Sequence, residues 1–393
     1  MTIFQTLRRA LLPGLFIAVA GCDVIQFASD PGPRLVQTWN LAASSSTIGV
    51  DKFLPAGVTI YSTPPANNDS IGFSVTVNNV AISQVLGTTT SGCTACVALN
   101  GTNAIKPAFT LTANNATPLP SNVVSAAVLN GQVQLNITNN LSFDPLYVNT
   151  GGGSPPQGSL VITIKSTQSC GAATCSVLLA ADTVVGAATV TSVGGRVVAS
   201  PFAPGTTLAR TIQLQTGNVT TNVTADVVFT SPAGDHLVPI NVNSTVNATF
   251  GIPQLVVASV LINVPSTNIT PSTPTNLPAD LDESMTDHVI RGTLEMTIAN
   301  PFAISGNLNA QFQYGTPAQV VTKAFALPAS TATTPQVRAL SFDSTEMANI
   351  FKGNPTVLTM SGGVSSAAPL TVTPKQKVSI SNRLILAIRV GGN

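Results

Sequence analysis

The chain has 393 residues, of which only 8% are charged, and its formal net charge is +1. Typical soluble proteins carry about 25% charged residues, so this surface is kept wet by hydroxyl and amide groups, with no net field to steer it toward DNA, RNA or an acidic surface. Nucleic acid is excluded as a partner on that ground, and the length suffices for two to three domains with substantial cores.

The first segment is built for export. Arg8 and Arg9 precede an apolar run from Ala10 to Ala20, and Val19-Ala20-Gly21 places small residues before Cys22. Pro13 and Gly14 interrupt that run, which falls short of the roughly 20 apolar residues that a membrane-spanning helix needs. The segment resembles a bacterial lipoprotein signal. That resemblance implies removal of residues 1–21 and acylation of Cys22, first on its sulfur and usually on its new amine. At ~0.8 kcal/mol per buried methylene one acyl chain anchors marginally, whereas two or three anchor stably. The expected location is the cell envelope, with the membrane as partner through the N-terminal lipid. The outer membrane is favoured over the inner, although Asp23 follows the lipidated position and in some enterobacteria retains lipoproteins in the inner membrane. Loss of Arg8 and Arg9 lowers the formal charge to −1. Residues 22–50, with Asp30-Pro31-Gly32-Pro33 and Ser44-Ser45-Ser46, read as the lipidated N-terminus and a tether.

Beyond the tether the pattern has period two. Phe73 to Val77, Gly131 to Ile137, Leu160 to Ile164 and Gly292 to Ile298 alternate apolar and polar side chains, as half-buried strands do. Asn130-Gly131, Gly151-Gly152-Gly153 and Ser361-Gly362-Gly363 read as turn signals between strands. The expected class is all-β: two tandem immunoglobulin-like antiparallel β-sandwiches with one or two short helices. One helix is expected from Pro278 to about Ile290, with Asp280, Asp282 and Glu283 in its first turn. The other spans 343–352, where Asp343 and Glu346 form a capping box and Met347, Ile350 and Phe351 share a face.

The two halves echo each other. Leu119-Pro120 followed by Gly131 to Asn139 matches Leu277-Pro278 followed by Gly292 to Asn300, and Asn139-Asn140-Leu141 mirrors Asn300-Pro301-Phe302. Phe73 to Val85 parallels Ile252 to Val264, and Leu208 to Leu255 loosely parallels Val337 to Leu384 at a shorter offset. The first sandwich is therefore assigned to 51–250, with an insertion around 151–196, and the second to 251–393. A tubular lipid-binding fold has the same two-module logic but needs longer apolar-faced helices.

In the second copy the strand Thr293 to Ile298 runs into Asn300-Pro301-Phe302. Leu308 to Tyr314, Val320 to Ala326, Val337 to Phe342, the helix 343–352, and Thr356 to Met360 with Gly362-Gly363 follow. This order resembles the water-stress-hypersensitive and type 2 late-embryogenesis-abundant family, which implies an immunoglobulin-like sandwich and a role in protecting or contacting envelope components.

Candidate chemistry is sparse. Cys93/Cys96 and Cys170/Cys175 form two close pairs, and an oxidising compartment favours a disulfide within each. Each short loop contributes only ~2 kcal/mol, so these are loop pins. Cys93-Thr94-Ala95-Cys96 also has redox-motif and half-zinc-site spacing, but its Thr/Ser-rich flanks read as a loop between strands. His236 and His288 lie in different copies, and His236 reads as an exposed turn residue. Asp280, Asp282, Glu283, Asp287 and His288 read as an acidic first turn, because the glycine that would wrap a loop around calcium is missing. Few aromatics offer stacking platforms for sugars, and Trp39 reads as packing or marking the start of the fold. No catalytic set, metal site or cofactor motif emerges. The expectation is a non-enzymatic structural or binding role with a protein or lipid partner in the envelope, the alternative being a carrier of lipids or other apolar molecules.

Overall fold

The computed structural model describes residues 35–62, 71–87, 92–146, 158–170, 173–185, 202–269, 275–276, 287–329, 334–352 and 356–390. Antiparallel strands dominate and form two β-sandwiches, as the period-two alternation dictates. In β6 (Val123–Asn139) every second residue from Val133 to Asn139 is buried, and in β15 (Val289–Ala299) the same holds from Leu294 to Ile298.

The sandwiches share one strand order. In the first, β6 lies between β12 (Thr245–Ile262) and β9 (Thr207–Gln213), and β12 pairs on its other edge with β3 (Ile71–Val85). The facing layer is β5 (Phe109–Pro118), β10 (Gly217–Ser231), β7 (Ser159–Cys170) and β8 (Ala173–Val185). In the second, β15 lies between β21 (Lys377–Val390) and β18 (Gln336–Asp343), and β21 pairs on its other edge with β1 (Leu35–Gly49). Its facing layer is β13 (Thr267–Ile269) with β14 (Thr275–Asn276), β19 (Val357–Ser366), β16 (Ile304–Tyr314) and β17 (Gln319–Leu327). Phe312 meets Phe342 edge-to-face at 5.2 Å across the second pair of sheets. In the first, Phe202 stacks on Phe229 at 5.8 Å.

The repeat is sealed by a buried asparagine at the end of each central strand. Asn139 donates its amide to the carbonyls of Phe143 and Phe202, and its Oδ1 accepts the Leu141 N–H. Asn300 donates to the carbonyls of Ile304 and Pro328 and accepts the Phe302 N–H. The local partners sit two and four residues downstream in both copies.

Several boundaries differ from the sequence reading. The tether assignment fails from Leu35 onward, because β1 pairs along its length with β21, with one bulge between Ala42 and Ser45. Serine and threonine serve an edge strand as well as a linker, which hid it. The place that β3 holds in the first sandwich is held in the second by β1, so the parallel between Phe73 to Val85 and Ile252 to Val264 is not the structural one. The boundary at 250/251 falls inside β12, whose end pairs with β20 (Leu370–Val372) and so hydrogen-bonds the two sandwiches together. Within the span assigned to an insertion, 151–196, the described strands β7 and β8 form a hairpin that occupies the place of β16–β17, and residues 151–157, 171–172 and 186–196 lie outside the described residues.

Two turn signals lie inside strands. Gly131 is in β6, where a Cβ would come within 3.0 Å of Leu214 Cδ1 and 3.1 Å of the Gln254 carbonyl. Gly362 and Gly363 are in β19, where Gly306 of β16 approaches so closely that a Cβ on it would sit 2.0 Å from the Gly363 oxygen. Glycine here marks close backbone approach.

The described α-helices are α1 (Thr94–Val97), a single turn where a loop was expected, and α2 (Ser344–Lys352), beside one 3-10 turn at Val50–Lys52. Glu346 N–H donates to Asp343 Oδ1 and Asp343 N–H to Glu346 Oε2, the expected capping box. Met347 and Ile350 are buried, and Gly292 leaves room for Met347, whose Sδ would lie 2.3 Å from a Cβ there. Residues 278–286 of the other expected helix lie outside the described residues, and its last part is a turn followed by β15.

Because β1 is a strand of the second sandwich, hydrogen exchange on the mature protein will show the amides between Thr38 and Ile48 protected together with their partners in β21. Exchange of that segment at the rate of an unstructured peptide would return it to the tether.

Candidate functional site

The tandem has direction. Gly49 pairs with Lys377 at the end of the second sandwich that abuts the first, where Phe53 packs edge-to-face on Phe302 at 4.9 Å. Leu35 pairs with Val390 at the opposite end. In the first sandwich, Ile262 pairs with Val123 at the junction, and Asn139 with Val246 at the far tip. The tip is therefore the end of the molecule remote from Leu35.

Three features gather at that tip. The first is the turn carrying Cys93 and Cys96, which are joined by a disulfide with a Cα separation of 5.1 Å, and Cys93 Sγ accepts the Cys96 N–H. Both cysteines are buried. The turn is held further by the Gly101 N–H donating to the Ile240 carbonyl.

The second is a buried ionisable pair that sequence reading missed. Lys106 is 3% exposed; its Nζ donates to Ser231 Oγ at 2.5 Å and lies over the rings of Phe109 and Phe143 at 5.8 and 5.9 Å. Burial lowers its pKa to about 8 from 10.5, partly offset by the charge of Asp144. Burial likewise raises the Asp144 carboxyl to about 6 from 3.8, against the N–H of Leu146 at 2.8 Å and the Lys106 charge. In the second sandwich Ser366, which ends β19 as Ser231 ends β10, receives the Val264 N–H instead. A perturbed lysine is a functional candidate in principle, but at 3% exposure Lys106 cannot meet a substrate, so its chemistry here is to tie three chain segments together. Its only signal in sequence was a charge beside apolar residues in an otherwise uncharged stretch.

The third is an apolar pair. β4 (Asn103–Ile105) pairs with β11 (Leu237–Pro239), and Ile105 stands opposite Leu237. At the junction, by contrast, Ile262 of β12 stands opposite Leu370 of β20. Ile262 and Leu370 are 0% and 6% exposed at the junction, whereas Ile105 and Leu237 are 55% and 67% exposed at the tip. Val97 on α1 is exposed as well.

Two grooves lie on the flanks. One of about 530 Å³, beside α2, is lined by Arg291, Lys323, Asp343 and Glu346, with Lys323 bonded to Glu346 at 2.6 Å and set over Phe342 at 5.3 Å. Its charges are thus partly committed to each other. The other, of about 520 Å³, crosses the outer face of the first sandwich.

Other sequence candidates fall as follows. Cys22 lies outside the described residues. Cys170 and Cys175 lie in β7 and β8, where the backbone pairs Cys170 with Ala173 and Cys175 with Gln168; their side chains lie outside the described residues. His236 is exposed in the turn before β11, with its Nδ1 2.9 Å from Asp235. Asp287 and His288 are exposed in the turn before β15, while Asp280, Asp282 and Glu283 lie outside the described residues. Trp39 is half-buried on β1. Among the described residues no three His, Cys, Asp or Glu side chains converge as metal ligands.

No family model matches the chain, and no curated protein matches it. Among solved structures it is similar to a presumed secreted protein from Parabacteroides distasonis ATCC 8503, at 9% identity and a TM-score of 0.28, over 89% of this chain and 99% of that one. It is also similar to the tandem N-terminal CBM22 domains of Paenibacillus barcinonensis Xyn10C, at 8% identity and a TM-score of 0.17, over 92% and 99% of the two chains. Likenesses this distant carry no functional argument.

The ionisable pair gives the tip a pH signature. Between about pH 8 and 10.5 the unfolded chain holds a Lys106 proton that the folded chain has released, so stability rises with pH. Between about pH 4 and 6 the folded chain holds the extra proton, on Asp144, so stability falls as pH rises. The pair thus contributes a stability minimum between about 6 and 8. Urea midpoints measured from pH 4 to 10 will show both slopes in the wild type and lose them in Lys106→Met/Asp144→Asn, which will be the more stable near pH 7. Parallel profiles would refute this assignment.

Proposed function

We propose that this is a lipid-anchored cell-envelope protein, held through Cys22 and non-enzymatic, that presents the tip of its first sandwich to a protein partner. The observation that carries the reading is the Ile105–Leu237 pair. Ile105 and Leu237 are 55% and 67% exposed on paired strands at the free end of the molecule, and two large aliphatic side chains set side by side there offer a contact surface.

The anchor geometry supports it. Twelve residues lie between Cys22 and Leu35, a reach of at most about 45 Å, and β1 then runs roughly 50 Å toward the junction. The second sandwich stands nearer the membrane and the first projects beyond it. The outer membrane is favoured over the inner, although Asp23 follows the lipidated position. The buried aromatic and aliphatic side chains that fill both sandwiches leave the described grooves on outer faces, which favours surface binding over carriage of an apolar molecule.

Cys22→Ala will move the protein from the membrane fraction to the soluble periplasmic fraction; an unchanged distribution would remove the anchor. A photo-crosslinking residue at Leu237, used in the native cell, will give a discrete adduct that the same group at the exposed Val337 of β18 does not. Equal labelling from both positions would remove the tip from the reading.

A further inference from the structure

The groove on the outer face of the first sandwich has a composition that points to its ligand. Gln213, Gln132 and Gln254 stand directly opposite one another on β9, β6 and β12, forming a row of three side-chain amides across the strands. Asn130 and Ser74 border the row, and Tyr61, on β2 (Val58–Ser62), closes the groove. All of these side chains are uncharged, in contrast to the groove beside α2.

The shape has a local cause. Between Gly251 and Gln254 β12 carries one residue more than β6 does between Gln134 and Gln132, a bulge that contains Pro253. Proline cannot donate to a ladder and is placed at a bulge for that reason, and a bulge bends its strand and strengthens the twist. The groove lies at this bulge, where Gln132 and Gln254 meet. Gly131, whose close neighbours exclude a Cβ, lets β6 follow the bend.

Amides that each donate and accept, set in a row and free of charge, match a ligand whose surface is hydroxyls of the same double character. A tyrosine ring adds a platform for the apolar face of a sugar ring. A row across five strands, β9 to β2, spans about 19 Å, long enough for a short oligosaccharide. A peptide held by this sheet would be expected along a strand edge, through main-chain bonds, whereas these groups lie across the face. We infer that this groove binds an uncharged polysaccharide chain of the envelope, as a second surface distinct from the tip. The choice of glycans rests on the envelope location proposed above, but the groove chemistry does not.

The test uses the detergent-solubilised full mature protein, with titration calorimetry against chitohexaose, cellohexaose and, as an anionic control, a galacturonate hexamer. Binding of at least one neutral hexamer is expected, unchanged between about 0.05 and 0.5 M salt, and weakened about tenfold or more by Gln132→Ala and by Tyr61→Ala. Urea midpoints of both variants should match the wild type, since Gln132 is exposed and Tyr61 half-buried. The inference fails if neither neutral hexamer binds, if the variants bind as the wild type does, or if the galacturonate hexamer binds best. It also fails if an uncharged peptide such as (Gly-Asn)3, and neither neutral hexamer, perturbs the Gln132 and Gln254 amide resonances. Because lipid anchoring is read by fractionation and the tip by crosslinking, either can stand while the groove fails.

Discussion

One side-chain amide, used twice, sets the plan of this molecule. Each sandwich has a central strand that must leave its sheet and cross to the opposite layer, and such a corner strands backbone groups away from both sheet and water. Asn139 and Asn300 satisfy them with two donors and one acceptor in a single planar group. A carboxylate could not donate, and a leucine could do neither. Each amide also reaches a carbonyl far along the chain, Phe202 or Pro328, so it fixes the crossing against the segment that leads into the next strand of the first layer.

From that corner the rest follows. With the crossing fixed in both copies, β7 and β16 enter the facing layers at the same place, and the two sandwiches acquire the same strand order. They then stack head to tail, the corner of the second against the base of the first, while the corner of the first becomes the free tip. The chain uses this asymmetry. At the junction Ile262 and Leu370 are covered, and at the tip Ile105 and Leu237 are offered. The N-terminal strand adds a constraint of another kind. β1 completes the second sandwich by pairing with β21, so that sandwich cannot close until strands more than 300 residues apart have met. Under the proposed anchoring, any pull from the membrane reaches the fold through β1 and is shared along its ladder with β21.

Much of this was legible in residue order. Alternation marked the strands, the Asp343–Glu346 spacing marked α2, and the Asn139 and Asn300 triplets marked the repeat whose chemistry the structure supplies. The failures have physical reasons. Asn130-Gly131 and Ser361-Gly362-Gly363 read as turns because glycine permits turns, yet a glycine also permits two backbones to touch, and only the third dimension separates these uses. Ser44 to Ser46 read as a linker because hydroxyl residues suit solvent, and an edge strand meets solvent too. Lys106 gave little pattern beyond a lone charge among apolar residues, since its partners Phe109, Phe143 with Asp144, and Ser231 come from three places in the chain. The amide row was hidden for a similar reason: Gln132, Gln213 and Gln254 are neighbours only after β9, β6 and β12 have paired.

Equilibrium unfolding tests the two asparagines most directly. With Asn139→Ala and Asn300→Ala made separately in the full mature chain, each loses three buried hydrogen bonds and orphans their partners, a cost of about 3 kcal/mol or more. The adjacent exposed Asn140→Ala serves as control and should stay within about 0.5 kcal/mol of the wild type. Large and similar losses are expected for both buried asparagines, and unfolding of either variant alongside the Asn140→Ala control would contradict their role as the corner of each sandwich.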